Sequence, residues 1–240
     1  MTLSRRRVRA IFRKELREYQ RNSGIVWTMA VIPLLFILAP LIQVLTLPAT
    51  ASGALLSGDP LAILLGIPAL VPGTVAAYSV VGERQQGTLE PVLTTPIPRE
   101  EFLLGKALAV LVPSLAISVV VYAFFLAIVE LFAQSDVASA VLSGPDILAQ
   151  LLFTPLLAAW SIWVGIAVSS RSSDLRVAQQ LSALANLPPV AILYLIAYNV
   201  IPASLGLALG FAVLLVVLDS LGWRVVASVF DRERMITSTR

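Results

Sequence analysis

Five stretches of this chain contain no Asp, Glu, Lys or Arg: 22–58, 60–82, 107–129, 147–170 and 177–218. A helix crosses the ~30 Å hydrocarbon layer with about 20 apolar residues, and every one of these stretches is long enough. Backbone inside lipid must satisfy its own polar groups, which helices do within one segment. The last stretch, 42 residues, is about twice one crossing at ~1.5 Å per residue, and Asn199 and Pro202 interrupt it. The sequence therefore predicts an all-α integral membrane protein, one transmembrane domain over 1–240, with six transmembrane helices. They fall at about 25–46, 61–82, 107–129, 147–170, 178–199 and 203–222. Only 13% of the residues are charged against 58% hydrophobic, too little polar surface to clothe a soluble domain of this size.

Six spans place both termini and the loops at 83–106 and 171–176 on one side. All 17 Lys and Arg residues fall there, whereas the three opposite loops hold only Asp59, Glu130, Asp136 and Asp146. The positive-inside rule assigns that side to the cytoplasm, as expected for a multi-pass protein of the cell (inner) membrane. A miscounted span would have scattered the basic residues over both faces.

The N-terminus lacks the short apolar core and small-residue cleavage site of a signal peptide. Residues 3–21 instead predict an amphipathic helix. Val8, Ile11, Phe12, Leu16 and Tyr19 recur at steps of three and four, and Arg5, Arg6, Arg7, Arg9, Arg13, Lys14, Arg17 and Arg21 surround them. Such a helix suits the headgroup layer, apolar face inward and basic face toward anionic lipid. With the spans that follow, the membrane accounts for the basic balance better than a nucleic-acid partner does.

The chain has no histidine and no cysteine. This excludes imidazole relays and the Ser–His and Cys–His pairs, and likewise disulfides and thiolate metal sites. No G-x-x-x-x-G-K-[ST] phosphate loop is present, so hydrolysis of ATP falls to another chain.

The most informative segment is the loop between spans two and three. Gly87 permits a tight turn, Thr88 can cap, and Glu90 lies where a carboxylate complements a helix dipole. Pro91 is tolerated in a first turn, whose amides lack internal partners, and Pro96 ends the segment. A short helix at about 89–94 is expected. The next helix is expected to start at Pro98, with Glu100 and Glu101 near its positive end, and to run through Lys106 into the third span. A short helix held between two membrane helices suits a handle that carries motion from a partner into the bilayer.

Glu83-Arg84, then Gly87-Thr88-Leu89-Glu90, Thr95-Pro96 and Gly105-Lys106, resemble the signature of type-2 ATP-binding-cassette (ABC) exporter permeases. The resemblance covers nearly the whole chain. It implies that Gly87, Thr88, Leu89, Glu90, Pro91, Val92 and Leu93 form a coupling helix docking on an ATPase subunit. Glu83 and Arg84 then sit at the end of the second span. It implies a second permease copy, in a homodimer or a related heterodimer, and two ATPase subunits. No cofactor is expected on this chain, ATP and Mg being held by the ATPase. Two departures stand out: Pro98 stands where family members often have Ser or Thr, and the loop between the last two spans is very short, where some relatives carry re-entrant helices.

Other residues are weaker candidates. Asp219 is the one acid inside a predicted span, where a carboxylate at mid-bilayer costs about 2.5–3.5 kcal/mol on insertion scales; Trp223 and Arg224 close behind place it near an interface. Asn186, Pro188 and Pro189 are candidates, with Asp219, for lining or gating a path. The two prolines are expected to remove consecutive donors from mid-helix. An ATP-independent secondary transporter or channel is the alternative function, and it predicts coupling charges within the spans. The aliphatic spans favour a hydrophobic or amphipathic substrate.

Overall fold

The computed structural model describes residues 4–46, 60–85, 87, 97–142, 144–198, 200–202 and 204–229. Among them are ten helices and no strand. They are α1 (Arg5–Arg21), α2 (Ser23–Thr46), α3 (Pro60–Leu64), α4 (Gly66–Gln85), α5 (Arg99–Phe132), α6 (Ser135–Val141), α7 (Gly144–Arg171), α8 (Leu175–Ala185), α9 (Leu187–Ala197) and α10 (Leu205–Val229). Six segments are long and apolar enough to cross a membrane: Ser23–Thr46, Ala62–Gln85, Arg99–Phe132, Asp146–Arg171, Leu175–Ile196 and Leu205–Ser228. The sequence-derived spans fall on these same six, with ends that differ by several residues.

The centre of the bundle is α4, buried along nearly its whole length. Its composition explains this. Gly73, Ala76, Ala77 and Ser79 are small, and small residues let membrane helices approach closely enough for dispersion and hydrogen bonds to hold them. Opposite them, α7 presents Ser161, Gly165 and Ser169. A methyl group on Gly165 would lie 2.6 Å from the Gly73 carbonyl oxygen and 2.8 Å from Ala76 Cβ. The Ser169 hydroxyl donates to the Ala77 carbonyl and accepts from the Val81 amide at 3.0 Å. Along the outer helices, large apolar residues such as Ile42, Val120, Leu148, Leu209 and Val213 are exposed, as surfaces facing lipid require.

Three local features differ from the sequence expectation. Asn186 breaks the fifth span into α8 and α9, and Pro188 and Pro189 occupy the first turn of α9. Prolines there displace no helical donor, so no mid-helix hydrogen bonds are lost. The second span is likewise divided at Leu65 into α3 and α4. Pro98 precedes α5 as its cap, in an extended conformation, and the helix begins at Arg99.

Connections at the end that holds α1 are tight. One residue, Asn22, joins α1 to α2. Its amide donates to the Glu18 and Tyr19 carbonyls, closing α1, and its side-chain oxygen accepts from the Gly24 and Ile25 amides at 3.0 and 3.3 Å, opening α2. Asp174 caps α8 in the same way, accepting from the Arg176 and Val177 amides at 2.7 and 3.1 Å.

Candidate functional site

The apolar stripe of α1 packs on protein. Val8, Ile11 and Tyr19 are buried, while Phe12 and Leu16 are half-buried. Ile11 seats on Gly105 of α5, where an added methyl group would lie 2.6 Å from its side chain. Arg5, Arg9 and Arg13 are exposed on the opposite side.

Glu15 falls within that stripe, one turn beyond Ile11 and one turn before Tyr19, and it is 1% exposed. A buried carboxylate requires counter-charge, and two lysines supply it. Lys106 of α5, fully buried, reaches Glu15 at 3.1 Å, Glu83 at 3.0 Å and the Ser79 carbonyl at 2.8 Å, and lies over the Phe102 ring. Lys14, 45% exposed at its side chain, reaches Glu15 at 3.0 Å, Glu18 at 2.9 Å and Glu83 at 2.6 Å. Both ammoniums thus bridge the same two carboxylates, one from α1 and one from α4, in a ring of alternating sign. Glu15, Glu18 and Glu83 converge within 4.8 Å, close enough for a metal ion, but the lysines already neutralise them.

The electrostatics follow from this packing. Burial alone would raise the Glu15 carboxyl, but the Lys106 and Lys14 ammoniums outweigh it and hold the group below its ordinary range. Partial burial opposes the charged form of Lys14, yet Glu15 and Glu83 raise it overall. Burial, with the Glu15 and Glu83 charges behind it, pushes the Tyr19 phenol well up. Buried ion rings add little net stability over an apolar core of the same volume, but losing one member is expensive. The ring ties α1, α4 and α5 together through side chains of all three.

A second clamp lies about two turns back along α1. The Arg7 guanidinium grips Glu101 with both its Nε and a terminal nitrogen, and the Ser4 amide donates to the same carboxylate at 2.8 Å. Bidentate pairing of this kind is strong and directional. Arg84 holds the other side, donating to the Ser172 and Ser170 carbonyls at 2.9 and 3.3 Å and so satisfying the open end of α7. Gly87 follows with a φ of 68°, and its amide donates to the Arg84 carbonyl. That left-handed turn suits glycine at a helix end. Thr88, Leu89, Glu90, Pro91, Val92 and Leu93 lie outside the described residues, as does the short helix expected at about 89–94.

The segment 86–98 is therefore anchored at both of its ends, by Glu83 and Arg84 before it and by Glu101 and Lys106 after it. All four anchors bond to α1 or to the end of α7. Of these, sequence reasoning singled out Glu83 and Arg84 as site residues and quoted Lys106 within the family signature. It counted Lys14 in the basic face of the first helix and took Glu101 as a dipole partner, and it passed over Glu15. The signal was available: an acid in the middle of an apolar helical stripe calls for a buried cation.

The remaining candidates form two separate places. Asn186 is buried and its amide donates to the Ser161 hydroxyl at 3.0 Å; Pro189 beside it is buried and Pro188 exposed. Asp219 accepts from the Trp163 indole at 3.1 Å. Ser161 and Trp163 are two residues apart on α7, about 200° around the helix, so these sites lie on opposite sides of it.

Six helices apolar enough to cross a membrane, packed around a small-residue core, define a multi-pass helical membrane protein. A family profile described as ABC-2 family transporter protein matches residues 9–214, and the chain belongs to that family. The match runs from α1 into α10 and includes the ion ring and the 86–98 segment. Among curated proteins none matches the chain. Membership implies a permease domain that works in the membrane with an ABC ATPase.

Proposed function

We propose that this chain is the transmembrane permease subunit of an ATP-driven exporter, taking its energy from a separate ATPase through the segment Gly87–Leu93. The observation that carries the reading is the double anchorage of that segment. A push on 86–98 acts on the C-terminal end of α4 and the N-terminal end of α5, and the Lys14–Glu15–Glu83–Lys106 ring binds both to α1. Since one capping residue joins α1 to α2, the displacement passes into a membrane helix without a slack linker.

In this reading α1 lies along the cytoplasmic membrane surface with its basic side toward lipid headgroups, and both termini are cytoplasmic. Two permease copies enclose the path, and two ATPase subunits bind ATP and Mg. ATP-driven closure of the ATPases moves the coupling segments, and the spans alternate between inward and outward exposure. The substrate is hydrophobic or amphipathic, in keeping with spans of such low polarity.

The test is co-purification with a candidate ABC ATPase and transport in vesicles. Glu83 is buried in the ion ring, so replacing it would also disturb packing. The clean substitution is Glu90→Ala with Thr88→Ala, which is expected to abolish ATPase binding and transport while leaving expression and melting unchanged. A variant that still binds and transports normally would show that coupling runs through another surface.

A further inference from the structure

We propose that the cavity between α5, α7 and α10 binds an organic ammonium group carried on an apolar body. The cavity measures about 380 Å³, within the range of small-molecule pockets. Leu104, Leu108 and Leu111 line it from one face of α5, Trp163 from α7, and Asp219 and Trp223 from α10.

Asp219 gives this apolar space its chemistry. One of its carboxylate oxygens accepts from the Trp163 indole; the other is shielded from solvent and makes no hydrogen bond. Among the described residues Asp219 has no ion pair. The neighbouring cation on α5, Lys106, is committed to Glu15 and Glu83, and Arg224, further along α10, is exposed. The protein thus sets a carboxylate beside an apolar chamber without a counter-ion of its own, and a ligand cation supplies it.

The lining selects the kind of cation. Calcium and magnesium take about six or more oxygen ligands and zinc about four ligands, and one carboxylate among leucines and indoles does not provide them. Indole faces attract alkylammonium ions, and two indoles line the cavity. Trp163 is held in place by the Trp160 ring, edge-on at 4.9 Å. The leucines suit an alkyl or aryl body. As a substrate assignment this rests on the transport reading above; as a binding site it is independent of it.

The test uses the full chain purified in a neutral maltoside detergent, with tryptophan fluorescence followed during titration with dodecyltrimethylammonium and, separately, with phosphatidylethanolamine in mixed micelles. Saturable quenching by at least one of these ammonium-bearing amphiphiles is expected. Asp219→Asn should weaken it at least about tenfold, as for loss of the one opposite charge beside a bound cation, and Trp223→Leu about threefold; Asp219→Glu should retain most of it. Saturation by the single-chain cation alone marks a site for free amphiphiles, and saturation by the lipid alone marks a headgroup site; both support the ammonium assignment. The unaltered protein gives a check that does not depend on variants folding: dodecanol, with the same tail and no charge, should not compete. Equal competition by dodecanol, undiminished binding by folded Asp219→Asn, or no saturable signal from either ammonium-bearing amphiphile overturns the proposal. Ammonium binding without transport of the bound cation would overturn the substrate assignment and leave the binding site standing, whereas failure of the transport reading is read from the ATPase and coupling-segment tests above.

Discussion

Replacing Lys106 by methionine is the sharpest probe of the ion ring, because it keeps the length and apolar stem of the side chain and removes only the charge. The ammonium is fully buried and makes three contacts, to Glu15, Glu83 and the Ser79 carbonyl. Without it, two buried carboxylates lie within 4.8 Å with Lys14, partly exposed, as their remaining lysine. At an effective dielectric constant near 20, two like charges at that distance repel by about 3.5 kcal/mol. This agrees with the ~3–5 kcal/mol typical of breaking a buried pair. For a chain of this size such a loss lowers the melting midpoint by roughly 10 °C. The assay is thermal unfolding of purified protein in detergent at a fixed scan rate, since membrane proteins often unfold irreversibly. Adding Glu15→Gln should restore about half of the loss, because it removes one of the two repelling charges, and the double-mutant cycle isolates that coupling. A Lys106→Met variant melting within ~2 °C of wild type, or a double variant no better than the single one, would refute the reasoning.

Acid should weaken the ring in a defined window. Glu15 is held below its usual value near 4.5, so its contribution is complete above that pH and is lost as pH falls through the lower folded-state value. Melting midpoints of wild type and Glu15→Gln, compared from pH 7 downward, should keep a constant gap to about pH 4.5 and converge below it. At the α4–α7 contact, Gly165→Ala should cost about 1–3 kcal/mol, since its methyl group meets backbone. Gly206→Ala, where nothing lies within 4 Å, should be neutral or stabilising by up to ~1 kcal/mol; chemical or thermal melts of both variants check the pair.

Much of the architecture is encoded locally. Charge-free runs determine where the spans lie because burying an ionised group in hydrocarbon is prohibitive over any register. The amphipathic repeat of α1 and the left-handed turn at Gly87 are likewise local properties. Asn186 and the two prolines were visible, but the outcome was not. The Asn186 side chain donates to Ser161 of another span, a partner that the local sequence does not identify.

What the sequence by itself determined, then, is the class of fold, the number of spans and the loop on which function is proposed to rest. Tertiary structure alone decided what Glu15, Lys106 and Glu101 do. Their partners are 91 and 94 residues away for the Lys106–Glu15 and Arg7–Glu101 bonds, and no local pattern of hydropathy or charge specifies such a pairing. The physical reason is that a span is chosen by its own transfer free energy, residue by residue. A buried ion pair is stable only when two distant elements bring opposite charges together and exclude water from both.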